Sequence, residues 1–496
     1  MNRFFRYALP AVWLSVTTLA GYSGELSLFD AIRNNNRDEI LKQLEQGADA
    51  DVAGPDGTSL LHWAAHLDDQ EIAGRLLEAG ANPDRANEYG VTPLWLACTN
   101  KSDRMVELLL NHGADPNPVL WTGETALMNC ARTGASGAVL SLLNSGKNNP
   151  GARESKRGQN ALMWAAAGGH ALIVQLLIEH GAEINAVSYS GFSALMFAAR
   201  SGELETAQLL IKAGANPDDS TPGHGNTLVV ASAGGHEALA LYLLEMGANP
   251  DSADQYGITS LHYAIRSGMS ALNGVRYDSV YRVRPDNMRD LVRAVLAAGA
   301  NVNARIRTNR RLGPDGSPFN MQGATPYFLA AVSADVALMQ MLRDYGANPQ
   351  LTAEGGITPL IAAARSACTG SCVFMAGGNN ASDQDVELAY QAVKAIVEAG
   401  VDVNSADDNG LTAMHMAAYT GADKVVQYLA EQGAMVNVRS RFGETPWSMA
   451  SGISPVISFR GLYGDHKGTV SLLEQLGAVR ISREEMDPDA PAPPGQ

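Results

Sequence analysis

Short apolar segments recur along the chain at a nearly constant distance, and glycines separate them. In residues 158–187 two apolar patterns of helical spacing flank Gly168-Gly169, and Gly181-Ala182 follows the second pattern. Each copy begins with an anchor glycine, and the usual step from one anchor to the next is 33 residues. The anchors are Gly57, Gly90, Gly123, Gly158, Gly191, Gly257, Gly323, Gly356, Gly410 and Gly443. A fixed period of this length predicts stacked repeats in one elongated solenoid.

Each copy predicts two short helices joined by a turn. Gly257 permits the positive φ of a tight turn, and Thr259 is placed to cap the following helix through its hydroxyl. In other copies a proline follows the capping threonine, at a helical position where the missing N–H would have no partner. These pairs are Thr92-Pro93, Thr325-Pro326, Thr358-Pro359 and Thr445-Pro446. Two small residues then predict close packing of neighbouring first helices, and paired aliphatics predict a second helix that ends at Gly-Ala.

The motif T-P-L-x-x-A, followed by G-A-x-x-N at a step of 33 residues, resembles the ankyrin repeat. The closest copies are 54–86, 87–119, 153–187, 188–220 and 407–439, whereas Gly146-Lys147 and Gly400-Val401 depart from Gly-Ala. The resemblance implies an all-α ankyrin-repeat solenoid of about 12 helix-turn-helix units with short β-turn fingers, which we expect to form a curved rod on the order of 100 Å long. It also implies that His62, His262 and His415 are structural and bond to the backbone of the adjoining turn.

The spacing of the copies predicts the domain organisation. Residues 24–480 form the solenoid, with 24–53 as N-terminal cap and 440–480 as C-terminal cap. Insertions are expected near 269–286, 305–322 and 366–385, and three insertions in consecutive copies would lie side by side. Residues 481–496 are acidic and then proline-rich, which predicts a disordered tail.

The first 23 residues have the form of a secretory signal peptide. Arg3 and Arg6 precede an uncharged, mostly apolar stretch from Tyr7 to Ala20, and small residues follow. An uncleaved anchor is the alternative, but Pro10 interrupts the stretch and it is shorter than the roughly 20 residues that span a bilayer. We therefore expect a periplasmic or secreted protein of bacterial origin, without stable membrane insertion after cleavage.

The chain is acidic, with a formal net charge of -16, which argues against a nucleic-acid partner. The exception is residues 268–322, which hold nine arginines, four aspartates, no lysine and no glutamate. Arginine and tyrosine are common at binding hot spots, so this region is a candidate partner-binding surface, with solvated or self-packed loops as the alternative. Its candidate residues are Arg276, Tyr277, Tyr281, Arg282, Arg305, Arg307, Arg310, Arg311 and Phe319.

Aromatic residues beside the anchor glycines form a second candidate surface, at Tyr89, Trp121, Tyr189, Phe192 and Tyr256. The ankyrin resemblance implies that turn tips and the exposed side of the first helices grip a partner. Residues after the alanine pair, such as His66, Arg200, Arg266 and Tyr419, would share that side. The alternative is that some of the rings pack against the next finger.

The chain has four cysteines. Cys98 and Cys130 occupy small-residue positions of the repeat, which predicts buried thiols. Cys368 and Cys372 lie in an insertion and are a candidate local disulfide in an oxidising compartment, with a redox-active pair as the alternative.

No motif predicts catalysis, because the chain has no P-loop and no H-E-x-x-H sequence. We therefore predict a non-catalytic, monomeric scaffold that binds another protein and needs no cofactor and no metal. The alternatives are an accessory protein of an exported redox enzyme that uses the Cys368–Cys372 pair, and an uncharacterised enzyme whose site lies in the insertions.

Overall fold

The computed structural model describes residues 28–265, 286–307, 322–366, 383–453 and 466–486. Within these residues the chain forms 24 α-helices, which pair as twelve helix-turn-helix units. The chain divides into two compact units, Met1–Asn148 and Asn149–Gln496. The boundary follows Gly146-Lys147, where the sequence departs from the Gly-Ala ending of other copies. The all-α fold and the number of helix pairs are confirmed, whereas one continuous rod stays a prediction.

The described part of the first unit contains four helix pairs, and within this unit each first helix contacts the first helix of the next pair. The helices are α1 (Leu28–Arg33), α2 (Arg37–Glu45), α3 (Leu60–Leu67), α4 (Gln70–Glu78), α5 (Pro93–Thr99), α6 (Asp103–Asn111), α7 (Ala126–Thr133) and α8 (Ser136–Asn144).

The described part of the second unit contains eight helix pairs. The helices are α9 (Ala161–Ala167), α10 (Ala171–Glu179), α11 (Ala194–Ser201), α12 (Leu204–Lys212), α13 (Thr227–Gly234), α14 (Glu237–Glu245), α15 (Ser260–Ala264), α16 (Arg289–Ala297), α17 (Pro326–Val332), α18 (Val336–Asp344), α19 (Pro359–Arg365), α20 (Asp383–Glu398), α21 (Ala413–Thr420), α22 (Asp423–Glu431), α23 (Pro446–Ala450) and α24 (Lys467–Gln475). Strands β1 (Ser220–Thr221) and β2 (Gly225–Asn226) pair antiparallel, and Glu354–Gly356 and Arg483–Glu485 are 3-10 helices.

The predicted caps begin the first helices. Thr325 accepts the backbone N–H of Phe328 at 3.2 Å, and Pro326 occupies the first turn. Asn160 replaces threonine in its copy and accepts the N–H of Met163 at 2.9 Å. Because an amide oxygen caps a helix as well as a hydroxyl does, the missing threonine does not disturb the repeat.

Small residues allow the first helices to stack closely. Ala165 and Ala166 on α9 and Ala198 and Ala199 on α11 are fully buried, and the two helices are in contact. Larger side chains at these positions would force the helices apart, because protein interiors are close-packed. The alanine pair therefore sets the spacing between repeats.

The turn before each first helix forms the predicted finger. Isolated antiparallel bridges close several fingers, for example between Val187 and Ser193. Successive fingers bond to each other through the backbone, as where the N–H of Tyr189 donates to the carbonyl of Arg157 at 2.8 Å. Several neighbouring fingers are therefore fixed to each other through their backbones.

The asparagines at the last position of the G-A-x-x-N motif, or of its Gly400-Val401 variant, link the other ends of the repeats. The side-chain N–H of Asn404 donates to the carbonyl of Gly433 at 3.1 Å, and its Oδ1 accepts the N–H of Met435 at 2.8 Å. Asn437 makes the same pair of bonds with Gly477 and Val479. One side chain thus joins two repeats through backbone groups that end a helix.

The predicted insertions do not all begin at the same edge. One gap, 266–285, begins at the end of first helix α15, and the described residues resume just before second helix α16. Another gap, 367–382, begins just after first helix α19, and the described residues resume at the start of second helix α20. The remaining gap, 308–321, lies in the finger before α17, whose base is closed by the N–H of Gly323 donating to the carbonyl of Ile306 at 2.7 Å. A first helix of seven residues spans about 10 Å. The insertions themselves lie outside the described residues, and the expectation that they lie side by side stays a prediction.

The C-terminal repeat continues past the predicted start of the disordered tail. Arg483–Glu485 form a 3-10 helix, Met486 is buried, and a guanidinium N–H of Arg439 donates to the carbonyl of Glu485 at 3.1 Å. The tail boundary at 481 is thus wrong for residues 481–486, while 487–496 lie outside the described residues. The predicted signal segment, 1–23, also lies outside them and stays a prediction. Among the helices that the structure describes, none has the length and apolar character needed to cross a bilayer.

Candidate protein-interaction surface

Three of the predicted aromatic residues are exposed on finger tips. Tyr89 is 53% exposed and Trp121 77% exposed in the first unit, and Tyr189 is 67% exposed in the second. Beneath Tyr89, Oδ1 of Asn87 accepts the backbone N–H groups of Tyr89 and Val91, each at 3.0 Å. The turn is therefore held by its own side chain and presents the ring to solvent.

Phe192 and Tyr256 differ from these three residues. Phe192 is only 4% exposed, and its ring centroid lies 5.5 Å from that of Phe197 and 4.8 Å from that of His224. The prediction that Phe192 contacts a partner directly is therefore wrong, because its ring is used within the repeat. Tyr256 is half-buried, and its carbonyl accepts the backbone N–H of Arg307 at 2.8 Å.

Two residues of the predicted Arg-rich surface are described. The guanidinium of Arg305 donates to the carbonyl of Gly323 at 3.2 Å and to that of Thr352, so this side chain ties neighbouring fingers together. Arg307 is exposed at the end of a described range. Cys368 and Cys372 lie outside the described residues. The same holds for the other candidates of the Arg-rich surface, which are Arg276, Tyr277, Tyr281, Arg282, Arg310, Arg311 and Phe319.

The finger before α9 carries a basic tip that the sequence analysis did not select. Glu154 is buried beneath it, and its carboxylate accepts the backbone N–H groups of Lys156 and Arg157 at 2.7 Å and of Gln159 at 3.1 Å. The side chains of Lys156 and Arg157 are exposed. The signal was present in the sequence as three basic residues within five positions, from Arg153 to Arg157.

Arg200 lies on the exposed side of α11 and covers two aromatic rings. The central carbon of its guanidinium is 4.9 Å from the ring centroid of Phe197 and 5.6 Å from that of Phe192. Burial lowers the pKa of the Arg200 guanidinium, and the nearby positive charge of Arg157 lowers it further. The structure thus brings together two cations from neighbouring repeats.

The repeat histidines are structural, as the ankyrin resemblance implied. Nδ1 of His262 accepts the backbone N–H of Thr259 at 3.2 Å, and Nε2 bonds the carbonyl of Ala304 at 3.2 Å. Burial lowers the pKa of His262 and that of His415 to about 4, so both rings are neutral at pH 7. His62 makes the same contacts with Ser59 and Val91.

Cys98 and Cys130 are fully buried, but they are not thiols. Their sulfurs are bonded to each other, with Cα atoms 4.6 Å apart. The prediction of free thiols is wrong because the two small-residue positions face each other across α5 and α7, within the Cα separation that a disulfide requires. No cluster of His, Cys, Asp or Glu among the described residues is suited to hold a metal ion.

Three parts of the chain, residues 28–119, 127–221 and 381–457, match the family model for ankyrin repeats. Together these parts make up more than half of the chain. The chain belongs to the ankyrin-repeat family.

Similarity to individual proteins is partial. The ankyrin-repeat chain is 35% identical over 75 residues to serine/threonine-protein kinase 12 of Arabidopsis thaliana, and 31% identical over 183 residues to an ankyrin repeat and KH domain-containing protein of Caenorhabditis briggsae. These matches cover 14% and 35% of this chain but only 16% and 6% of the two relatives. It also resembles the crystal structure of the ankyrin repeat domain of Bcl-3, with 28% identity and a TM-score of 0.38, over 48% of this chain and 99% of that one.

Proposed function

We propose that this ankyrin-repeat protein binds a partner protein without catalysing a reaction, through its finger edges and the exposed side of its first helices. The observation that carries the proposal is Tyr189, an aromatic side chain 67% exposed on a finger whose backbone is bonded to the preceding finger. A ring held in this way loses little conformational freedom on binding, and this low ordering cost favours affinity. Large exposed aromatic side chains are enriched at protein interfaces.

The Arg-rich region provides a selective clamp for an acidic partner. Arg307 is exposed at the end of a described range, while Arg305 fixes the neighbouring fingers. Because the rest of the chain is acidic, such a cluster would attract a partner of negative charge at one place on the molecule.

The protein acts as a monomer in a bacterial periplasm or outside the cell. The signal-like first 23 residues support export. The bond between Cys98 and Cys130 adds support, because structural disulfides persist mainly in oxidising compartments.

Site-specific photo-crosslinking tests the proposed function. A photoreactive phenylalanine analogue replaces Tyr89 or Tyr189 in the full chain, one position at a time, and the variants are irradiated in an extract of the source cells. Leu172, 57% exposed on second helix α10, is the matched control position. We expect discrete protein adducts from the finger positions and not from Leu172. Equal adducts at all positions, or none at any, contradict the proposal.

A further inference from the structure

We propose that a basic-aromatic surface, made by Lys156, Arg157, Tyr189 and Arg200, binds an acidic, extended segment of the partner protein. This inference rests on the proposed function and specifies the chemistry of the partner. The surface lies entirely within the second unit and is separate from the Arg-rich region near residue 307.

The backbone of two fingers fixes two members of the surface next to each other. The N–H of Tyr189 donates to the carbonyl of Arg157 at 2.8 Å. A Cβ added to Gly158 would lie 2.7 Å from the ring of Tyr189, so that ring lies directly over the preceding finger. Tyr189 and Arg157 therefore reach solvent from adjacent points of one rigid edge.

Arg200 adds a second guanidinium whose direction is set by packing. Its central carbon lies 5.6 Å and 4.9 Å from the ring centroids of the buried Phe192 and Phe197, and a guanidinium that stacks on aromatic rings can still donate hydrogen bonds to a carboxylate. The pKa of Arg200 is lowered by burial and by the positive charge of Arg157, so the two cations repel each other. A carboxylate placed between them would relieve this repulsion and accept charge-assisted hydrogen bonds.

The nearby charges leave this surface positive. Glu154 is the acidic residue of the same finger, but it is buried under the turn and its carboxylate accepts three backbone N–H groups. The next finger, residues 187–192, contains no charged residue. In a chain with a net charge of -16, this is a local reversal of sign that selects an acidic ligand.

The ring of Tyr189 defines a second requirement on the occupant. Its exposed face offers apolar contact beside the guanidinium groups. The surface therefore fits a segment in which acidic residues stand next to an apolar one, lying across the two fingers in an extended conformation.

Peptide selection on the full chain tests this inference. Random 12-residue peptides displayed on phage are selected against the immobilised protein, and the most enriched peptide is synthesised with a fluorescent label. Its Kd is measured for the wild type, for Arg157→Gln with Arg200→Gln, and for a control with Lys212→Gln and Arg343→Gln. The control removes the same charge from exposed positions of second helices in the same unit.

We expect the enriched peptide to be rich in Asp and Glu. Its Kd should be at least about tenfold higher for the Arg157 and Arg200 variant than for the wild type, and should change by less than about twofold for the control variant. An enriched peptide that is neutral or basic, equal affinity of both variants, or equally strong competition by a single-stranded oligonucleotide overturns the inference.

Two further measurements keep the outcome clear. Circular dichroism compares the folding of the variants, and Arg157→Glu alone serves if loss of Arg200 unfolds the chain. Arg157→Glu should then raise the Kd of the acidic peptide by at least about tenfold, and an unchanged Kd overturns the inference. If position 189 crosslinks to a protein but the selected peptides show no preference for acidic residues, this inference is overturned and the proposed function still stands.

Discussion

Cys98 and Cys130 are bonded to each other across two neighbouring first helices of the first unit. The two positions are 32 residues apart, so the bond closes a large loop of the unfolded chain. Closing such a loop restricts the unfolded state and stabilises the folded one by about 3–4 kcal/mol in the chain-entropy treatment.

Reduction should therefore destabilise the first unit. We expect a reductant to lower its free energy of unfolding by about 3 kcal/mol, with little change in the second unit. Urea unfolding followed by hydrogen exchange and mass spectrometry resolves the two units. The variant Cys98→Ala with Cys130→Ala, which places the usual repeat residue at both positions, should be insensitive to reductant. Equal loss of stability in both units would show that the bond does not act locally.

The sequence predicted what lies within one copy better than what lies between copies. Caps, Gly-Ala endings and structural histidines follow from local backbone requirements, so Thr325, Gly433 and His262 were placed correctly. The Cys98–Cys130 bond depends on which small positions face each other across two helices, and no single copy contains that information. The burial of Phe192 likewise depends on Phe197 and on His224 of the following finger.

Stability of the second unit should depend on pH through its histidines. The pKa of His262 and that of His415 fall from an ordinary value of 6.5 to about 4, so between these values the unfolded state binds more protons than the folded state. The contribution of each histidine to the free energy of unfolding is therefore fully present above pH 6.5. It is lost as pH falls towards 4, by up to about 3 kcal/mol per histidine.

Urea unfolding at pH 7 and at pH 4.5 measures this loss. The control variant is His262→Met with His415→Met, since methionine occupies the same position at Met163 and Met196. This variant should lose less stability between the two pH values than the wild type does. The same pH dependence in both proteins would assign the effect to other groups.

Asn404 should contribute to stability by joining two repeats. Asn404→Ala removes the partners of the Gly433 carbonyl and the Met435 N–H, at a cost of about 1–2 kcal/mol in free energy of unfolding. Gln255→Ala, at an exposed finger-tip amide, is the matched control and should change stability by less than about 0.5 kcal/mol. Chemical denaturation compares them, and equal effects would mean that the Asn404 bonds add nothing.

The Arg-rich clamp makes a separate prediction about partner capture. The variant Arg307→Ser with Arg310→Ser and Arg311→Ser should recover less partner from an extract of the source cells, with the difference shrinking at high salt. A control with Arg104, Lys212 and Arg343 changed to Ser removes the same charge from exposed positions outside residues 268–322. Quantitative mass spectrometry of the captured proteins measures recovery. Undiminished recovery by the first variant would exclude the clamp.

Hydrogen exchange of the full chain with and without its captured partner tests the central claim most directly, because it shows which backbone segments the partner covers. We predict slower exchange in the fingers, above all in residues 153–158 and 187–193, and unchanged exchange in the second helices α10 and α12. Slower exchange confined to α10 and α12, with the fingers unaffected, would contradict binding at the finger edge.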